Sequence, residues 1–322
     1  MTGWARAALA AALAMVASLT AARAQDYPNA PIHVICGFPP GSTADISIRV
    51  VGARMGQILG QQFVIENRVG AGSSLAAVQV ARAPKDGYTL YVGNAANVIN
   101  AAMSSNLSFD FYKDFEPVTL ITSTPTVLAV TPELGVKSVK ELIALAKQKP
   151  GELSFGSSGV GSSTHLALEL FNSLAQVKIT HIPYSGSPQV ITDMLANRVH
   201  GYFSPASTVM GHVQAGKLVA LAVTDPKRSP IIPELPTMIE SGVPDFESVL
   251  WFGIEAPAGT PQPIIDKLSR AANEALKSDE IVKSLKAQTV ATLGGTPEDF
   301  RKHLESERKR WTAVVEGAGL RK

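Results

Sequence analysis

Five segments of the chain combine glycine with serine, threonine or asparagine. They are 37–43 (GFPPGST), 70–74 (GAGSS), 93–97 (GNAAN), 156–164 (GSSGVGSST) and 184–188 (YSGSP). Where a strand passes into a helix, such a segment presents free backbone N–H groups and a hydroxyl at the positive end of the helix, which suits an anion. Plain helix capping is the alternative interpretation of each single segment.

Charged side chains are missing from the longer segments that contain several of these loops. Residues 37–44, 154–164, 182–190 and 201–211 include no Lys, Arg, Asp or Glu. An anion held there would be bound by amide dipoles and hydroxyls, without a buried ion pair whose desolvation offsets its Coulomb attraction. We therefore predict a carboxylate site. Nucleotide binding is not indicated, because neither G-x-x-x-x-G-K-[ST] nor G-x-G-x-x-G stands at a strand–helix junction.

Motifs of known enzyme classes are absent from the sequence. Val160 stands where G-x-S-x-G requires its final glycine, and the six histidines do not have metal-ligand spacing. We expect no enzyme activity, no metal and no cofactor. A secreted serine hydrolase that pairs Ser158, Ser162 or Ser163 with His165 stays an alternative, although a hydrogen bond from His165 to its own loop is the favoured interpretation.

The N-terminus explains the small positive charge of the chain. Its 322 residues contain 29 Lys and Arg against 27 Asp and Glu, with 17% charged and 45% hydrophobic residues. This composition excludes a disordered tail protein and a strongly cationic nucleic-acid binder. Arg6 and Arg23 are the only charged residues among the first 24, so the chain without them has 27 charges of each sign and is neutral.

Residues 1–24 have the pattern of a signal peptide cleaved after Ala24. Arg6 precedes an uncharged run from 7 to 22, and Ala22-Arg23-Ala24 supplies small residues around the cleavage site. A membrane anchor is the alternative, but the run is shorter than the roughly 20 residues that a span requires. We predict export to the periplasm. The single cysteine, Cys36, lies in an apolar strand and is predicted to be a core residue rather than a reactive thiol.

Hydrophobic periodicity indicates an alternation of strands and helices, which is typical of mostly parallel α/β sheets. The predicted strands are 32–38, 63–66, 89–93, 117–121, 126–130, 153–155, 178–182, 199–203, 219–223 and 250–254. Ser138, Thr296 and Ser187 are predicted helix caps, the last two because a proline follows each. Open α/β sheets bind ligands at the carboxyl ends of their strands, where the glycine-rich loops fall.

A set of motifs extends over essentially the whole mature chain. It includes 38–41 (FPPG), 64–72 (VIENRVGAG), 83–90 (APKDGYTL), 156–165 (GSSGVGSSTH), 181–184 (HIPY) and 251–261 (WFGIEAPAGTP). Each motif alone is a loop, but together, in this order and spacing, they resemble the periplasmic receptors of tripartite tricarboxylate transporters, the Bug or TctC family.

The resemblance implies a type II periplasmic-binding-protein-like fold, a Venus flytrap of two α/β lobes joined by two crossing segments. Lobe 1 would comprise 25–124 plus 250–322, and lobe 2 would comprise 125–249. Family members bind a small-molecule carboxylate between the lobes and deliver it to the membrane permease subunits of the transporter, without nucleic acid and as monomers. A ligand sensor that signals to another partner stays an alternative.

The family's ligand-binding positions can be carried over one by one. They are Phe38, Gly41, Ser42, Thr43, Asn94, Ala95, Ser157, Ser158, Gly161, Ser162, Ser163, Thr164, Tyr184, Ser185 and Ser204. Asp45 with Arg49 would brace the first loop, and Asn67 and Arg68 would support it.

Two positions depart from the family pattern. Ser42 replaces a second glycine, and Ser204 replaces an acidic residue that many members have. Loss of that acid removes a partner for an amino group, so the resemblance implies a non-amino mono- or dicarboxylate. Ser204 is interpreted either as a ligand contact or as a plain cap. Of the aromatic residues, Phe38 and Tyr184 fall in the candidate loops, so an aromatic acid is allowed but not indicated.

Overall fold

A computed structural model describes residues 27–104, 106–317 and 321 of the chain. The predicted signal peptide lies outside the described residues. The strands are β1 (Ile32–Cys36), β2 (Phe63–Asn67), β3 (Thr89–Asn94), β4 (Phe115–Thr124), β5 (Thr126–Val130), β6 (Ser154–Ser157), β7 (Thr180–Pro183), β8 (Gly201–Pro205), β9 (Val219–Val223), β10 (Leu250–Pro257) and β11 (Ala291–Thr292). The helices are α1 (Thr43–Leu59), α2 (Ser74–Ala81), α3 (Ala95–Met103), α4 (Val139–Gln148), α5 (Ser163–Ala175), α6 (Ser187–Leu195), α7 (Ala206–Gln214), α8 (Gln262–Leu276), α9 (Asp279–Lys286) and α10 (Pro297–Gly317).

The first sheet has six strands in the order β11-β4-β10-β3-β1-β2. Strand β1 runs parallel to both β2 and β3, and the intervening helices cover the faces of the sheet. Strand β10 lies antiparallel between β3 and β4, and all eight of its residues are buried. We call this sheet with its helices lobe 1.

The second sheet has five strands in the order β7-β6-β8-β5-β9. Strand β6 is parallel to β7 and β8, whereas β5 is antiparallel to β8 and β9. We call this sheet with its helices lobe 2. The chain passes from one sheet to the other between Thr124 and Thr126 and returns before Leu250. The predicted domain boundaries at 124/125 and 249/250 stay a prediction.

Both sheets are mixed, so the prediction of mostly parallel sheets was wrong in part. Strand β5 begins beside the end of β8, where Thr126 pairs with Pro205. Strand β10 likewise begins near the end of β3, where Phe252 pairs with Asn94. Each strand that enters a sheet from the crossing therefore starts at the edge where its neighbours end, which makes it antiparallel to them. Hydrophobic periodicity carries no information about that direction.

Strand β10 divides the core of lobe 1 between its two faces. Phe252 and Ile254 pack with residues of α1 and α8, whereas Trp251 packs on the opposite face with residues of α10. The prediction for Cys36 is confirmed, because its side chain is fully buried in the first of these cores. Burial raises the pKa of the Cys36 thiol to about 12, so it remains protonated and unreactive.

Two of the three predicted helix caps are confirmed. The hydroxyl of Ser138 accepts from the Glu141 N–H at 3.2 Å, and that of Thr296 accepts from the Asp299 N–H at 3.1 Å. The prediction for Ser187 was wrong, because Gly186 is the cap and Ser187 is already the first residue of α6. The Ser187 hydroxyl bonds instead to the buried phenol of Tyr202 at 2.8 Å, a partner 15 residues away that local sequence does not reveal.

Candidate functional site

Helices from both lobes begin at one small inner cavity between the sheets. Residues at the N-termini of α1 and α5 line this cavity, as do Ser187 at the start of α6 and Pro205 at the start of α7. The complete lining is Phe38, Ser42, Thr43, Ala44, Ser158, Ser163, Thr164, Ser187, Pro205, Leu250 and Phe252. Four positive helix ends therefore face a space whose wall, in the part of the chain that the structure describes, contains no charged side chain.

The start of α1 is fixed by its own first turn. Gly41 has a φ of 79°, and its N–H donates to the Asp45 carboxylate at 3.0 Å. Ser42 caps the helix by accepting from the Asp45 N–H. These bonds leave the N–H groups of Thr43 and Ala44 without a partner among the described residues, and both residues line the cavity. Free N–H groups at a helix start form an anion-binding site.

Residues behind this turn brace it, as the sequence predicts for Asp45 and Arg49. Asp45 is 4% exposed, and its carboxylate accepts from Arg49 Nε and from Asn67 Nδ2, each at 2.9 Å. Asn67 Nδ2 also donates to the Phe38 carbonyl at 2.8 Å. Arg68 extends from the end of β2 toward Glu66, at 3.5 Å, and does not line the cavity. The charged residues of lobe 1 therefore hold the loop and stand behind it.

The start of α5 has a denser set of hydroxyl groups. Thr164 Oγ1 accepts from the Ser158 N–H at 2.9 Å and lies 3.0 Å from both Ser158 Oγ and Ser162 Oγ. Ser162 caps the helix by accepting from the His165 N–H. The N–H groups of Ser163 and Thr164 have no partner among the described residues. Lobe 2 thus offers two free N–H groups and several hydroxyls to one ligand group.

A larger outer groove continues from the inner cavity. Its volume is about 510 Å³, against about 20 Å³ for the inner cavity, and Phe38 and Ser158 line both. Tyr184 and Ser185 form part of its wall, together with Pro183 and Val160. The Tyr184 hydroxyl donates to Asp193 at 2.8 Å, and burial together with this carboxylate raises the pKa of Tyr184 to about 12. The groove wall is uncharged and largely apolar.

The two lobes touch on both sides of the inner cavity. Thr43 Oγ1 of lobe 1 lies 2.6 Å from Ser207 Oγ of lobe 2. On the other side, Gly161 lies so close to the Asn100 side chain that a Cβ atom added to this glycine would be 2.1 Å from Asn100 Oδ1. The inner cavity, at about 20 Å³, has room for about one water molecule, so a larger group fits there only if the lobes separate.

A groove of about 730 Å³ on lobe 1 is larger but is a weaker candidate. It lies between residues 101–112 and α10. The charged groups of its wall are already engaged, Asp110 with Lys113, Glu316 with Arg321, and Arg308 over the ring of Tyr112. We assign the functional site to the cleft between the lobes, where the N–H groups are free.

Eight of the fifteen predicted site residues line the inner cavity or the outer groove. They are Phe38, Ser42, Thr43, Ser158, Ser163, Thr164, Tyr184 and Ser185. Seven others do not line either space, namely Gly41, Asn94, Ala95, Ser157, Gly161, Ser162 and Ser204. Asn94 caps α3, and the Ser204 hydroxyl bonds to the Pro205 carbonyl and to Thr208. Pro205, and not Ser204, is the N-cap residue of α7.

Several wall residues were not predicted from the sequence. Ala44, Ser187, Pro205, Leu250 and Phe252 line the inner cavity. Ser187 lies inside the uncharged segment 182–190, which is a signal that could have found it. Leu250 and Phe252 reach the cavity because β10 enters lobe 1 at the cleft edge. No local sequence pattern predicts where in the sheet this strand begins.

The serine residues near His165 do not form a catalytic pair with it. His165 Nδ1 accepts from the Gly161 N–H at 3.2 Å, whereas the hydroxyls of Ser158 and Ser162 bond to Thr164. This confirms the interpretation of His165 as a residue that bonds its own loop. Among the described residues, no group of three or more His, Cys, Asp or Glu is arranged to hold a metal ion, and no helix is long and apolar enough to cross a bilayer.

Two α/β sheets with a ligand cleft at the ends of their strands define the class of the two-lobed periplasmic binding proteins. Comparison with solved structures agrees. The chain superposes on R. palustris Rpa4515 with adipate with a TM-score of 0.87 and 38% identity, covering 91% of this chain and 99% of that one. It superposes on MatC from Rhodopseudomonas palustris with bound malate with a TM-score of 0.86 and 30% identity, covering 90% and 100%.

The chain belongs to the TctC family, whose model is described as the tripartite tricarboxylate transporter family receptor and matches residues 47–320. Protein BugT of Bordetella pertussis is 35% identical over 300 residues, which cover 92% of each chain. A UPF0065 protein from the tcbD-tcbE intergenic region of Pseudomonas sp. strain P51 is 35% identical over 306 residues, covering 94% of this chain and 91% of the relative. The family consists of periplasmic solute-binding receptors, as the sequence motifs indicate.

Proposed function

We propose that this protein captures a non-amino mono- or dicarboxylate between its lobes and delivers it to the membrane permease subunits of a tripartite tricarboxylate transporter. One observation carries the proposal: helix N-termini from both lobes converge on a cavity whose wall has no charged side chain. The free N–H groups of Thr43, Ala44, Ser163 and Thr164 supply the attraction for an anion. Adipate and malate in the two similar structures support a carboxylate as the ligand.

Binding and closure are coupled in this proposal. Only the closed arrangement brings the free N–H groups of both lobes to the same ligand group, so a ligand stabilises the closed state. The carboxylate head occupies the inner cavity. The rest of the ligand follows the outer groove, whose volume of about 510 Å³ lies within the usual range for small-molecule sites.

The absence of acidic residues from the cavity wall supports a ligand without an amino group. An ammonium group requires a carboxylate or several acceptors, and the described wall of the inner cavity contains neither Asp nor Glu. The wall contains the apolar side chains of Phe38, Leu250 and Phe252 instead. An amino acid would leave its charge unpaired there, which costs affinity.

The protein acts in the periplasm after cleavage of residues 1–24, and it acts by binding, without catalysis. The mature chain is neutral, so attraction for the anion is local and does not come from a net field. Carboxylate affinity should therefore change little with ionic strength. The receptor binds its ligand as a monomer, because both halves of the cavity come from one chain.

Isothermal titration of the mature protein against mono-, di- and tricarboxylates tests the proposal, with the matching amino acids as controls. We expect at least one non-amino carboxylate to bind and to raise the melting temperature. The amino acid of the same length should bind at least about tenfold more weakly. No heat and no thermal stabilisation with any carboxylate would contradict the proposal, as would affinity that falls steeply with added salt.

A further inference from the structure

Two stacked imidazole rings lie beneath the loop that forms the lobe 2 side of the site. The ring centroids of His165 and His181 are 4.0 Å apart, with 28° between the planes. His165 bonds to Gly161, and His181 bonds to Ser157. The two rings therefore hold the two ends of the segment 157–161, which we call the lobe 2 ligand loop.

The bond to Gly161 fixes the tautomer of His165. Nδ1 accepts from the Gly161 N–H at 3.2 Å, so the proton of the neutral ring resides on Nε2. That nitrogen points toward Glu169 Oε1 at 3.6 Å. The nearby imidazole of His165 lowers the pKa of Glu169. A second proton on His165 would have to go to Nδ1, where it would meet the Gly161 N–H donor.

The bond to Ser157 gives His181 a similar role at the other end of the loop. His181 Nε2 lies 2.6 Å from Ser157 Oγ, and the Gly159 N–H donates to the same oxygen at 3.1 Å. If the Ser157 hydroxyl donates to His181, every group in this chain of bonds is satisfied. Burial, and then the neighbouring His165, lower the pKa of His181 to about 4.

Few other ionisable groups surround the pair. Glu169 is the charged group that faces the rings from α5, while β6 and the ligand loop itself contribute none. From lobe 1, the uncharged side chain of Asn100 approaches the loop at Gly161.

We propose that His165 and His181 are positioning residues whose rings hold the lobe 2 ligand loop in its binding geometry, so that loss of the acceptor on His165 weakens ligand binding. The inference rests on the proposed function, because it assigns the ligand to this loop. Neither ring lines the inner cavity or the outer groove. Their effect on a ligand therefore passes through the N–H groups and hydroxyls of residues 157–164.

The test compares His165→Ala with His165→Asn in the mature protein. The amide oxygen of asparagine can accept from the Gly161 N–H, as Asp45 accepts from Gly41 in lobe 1, but it does not titrate. His33→Asn is the matched control, because His33 is a half-exposed residue of β1 that pairs with Glu66. Adipate affinity is measured by calorimetry at neutral pH.

We expect His165→Ala to weaken adipate binding about tenfold, the usual effect of removing one partner of a hydrogen bond in a protein interior. His165→Asn, which restores an acceptor for the Gly161 N–H, should stay within about threefold of wild type. The control should bind adipate like the wild type. Wild-type affinity for adipate in His165→Ala, or a loss in His165→Asn equal to that in His165→Ala, would overturn the proposal.

A second measurement does not depend on a ligand. Nitrogen NMR of the free wild-type protein should show the neutral His165 ring as the tautomer with its proton on Nε2, and the Gly161 amide signal should move in His165→Ala but stay near its wild-type position in His165→Asn. If the wild type binds no carboxylate, the proposed function fails, while this measurement still decides the role of His165. A Gly161 amide signal that does not move in His165→Ala would overturn the positioning role.

Discussion

Helices α1 and α5 begin in the same way, one in each lobe. The glycine before each cap has a positive φ, 79° at Gly41 and 78° at Gly161. Each cap is a serine that accepts from the N–H three residues later. That third residue, Asp45 in lobe 1 and His165 in lobe 2, accepts in turn from the N–H of the glycine. The backbone is thus repeated, with the same pattern of bonds.

The side-chain pairs behind the two turns have opposite arrangements. In lobe 1 the third residue is the acid, and Arg49 one turn later is the base. In lobe 2 the third residue is the imidazole, and Glu169 one turn later is the acid. A fixed carboxylate at the start of α1 offsets part of the positive helix end, whereas α5 keeps its full effect on an anion. We therefore expect lobe 2 to bind the ligand charge and lobe 1 to make the weaker contacts.

The largest difference should appear when the two glycines are replaced. Gly161→Ala and Gly41→Ala each force a left-handed conformation on alanine, which costs about 1–2 kcal/mol of stability. At Gly161 the new Cβ would also lie 2.1 Å from Asn100 of lobe 1, whereas nothing lies within 4 Å at Gly41. We expect more than about a tenfold loss of carboxylate affinity for Gly161→Ala and a smaller loss for Gly41→Ala. Calorimetry measures both, and equal losses would contradict the comparison.

Removal of one threonine hydroxyl from each helix start should have the next largest effect. Thr164→Val deprives the buried Ser158 N–H of its acceptor and leaves two serine hydroxyls short of a partner. Thr43→Val removes one bond, to Ser207 of the other lobe. We expect about a tenfold loss of affinity for Thr164→Val and about a threefold loss for Thr43→Val. The reverse order would show that lobe 1 dominates binding.

The free energy of unfolding should fall in acid because His181 of lobe 2 takes up a proton on unfolding. The pKa of His181 is about 4 in the folded protein, below the ordinary value of 6.5. The unfolded chain therefore binds this proton first, and the stabilisation present above about pH 6.5 is lost as the pH falls toward 4. Between pH 7 and 5 this proton should lower the free energy of unfolding by about 1 kcal/mol, after allowance for solvent screening. We expect His181→Gln to remove that contribution to the acid dependence. Urea unfolding at the two pH values measures the difference, and an unchanged acid dependence would refute it.

Replacement of Arg49, the exposed base of lobe 1, should have the smallest effect on ligand affinity. Arg49→Met leaves Asp45 without its i, i+4 partner, so the carboxylate repels an anionic ligand more strongly. The Arg49 side chain is 48% exposed, and we therefore expect only about a twofold loss of affinity, larger at low salt. Lys in place of Arg49 is the matched control. A gain in affinity would mean that Asp45 does not act on the ligand.

Short-range sequence patterns predicted much of this site. The braces at Asp45 and His165 depend on residues within four positions of each other, so the sequence alone indicates them. The caps at Ser42 and Ser162 lie in loops for which the sequence leaves helix capping as an alternative to ligand binding. The stacking of His181 on His165, and the joint position of Leu250 and Thr43 in the wall of the inner cavity, involve residues far apart in the chain. They depend on which strands are neighbours and on where the chain crosses, and no local pattern encodes either.

The interrupted sheet of lobe 1 has a consequence for how the protein assembles. The strands of lobe 2 all come from residues 126–223, whereas β3 and β4 of lobe 1 have β10 between them, which begins only at Leu250. Until that strand arrives, the facing edges of β3 and β4 present unpaired backbone groups. Sheets made of distant segments close slowly, and a newly made chain emerges with its N-terminus first. Lobe 2, which we expect to bind the ligand charge, is therefore the half whose sheet can form without waiting for the C-terminus.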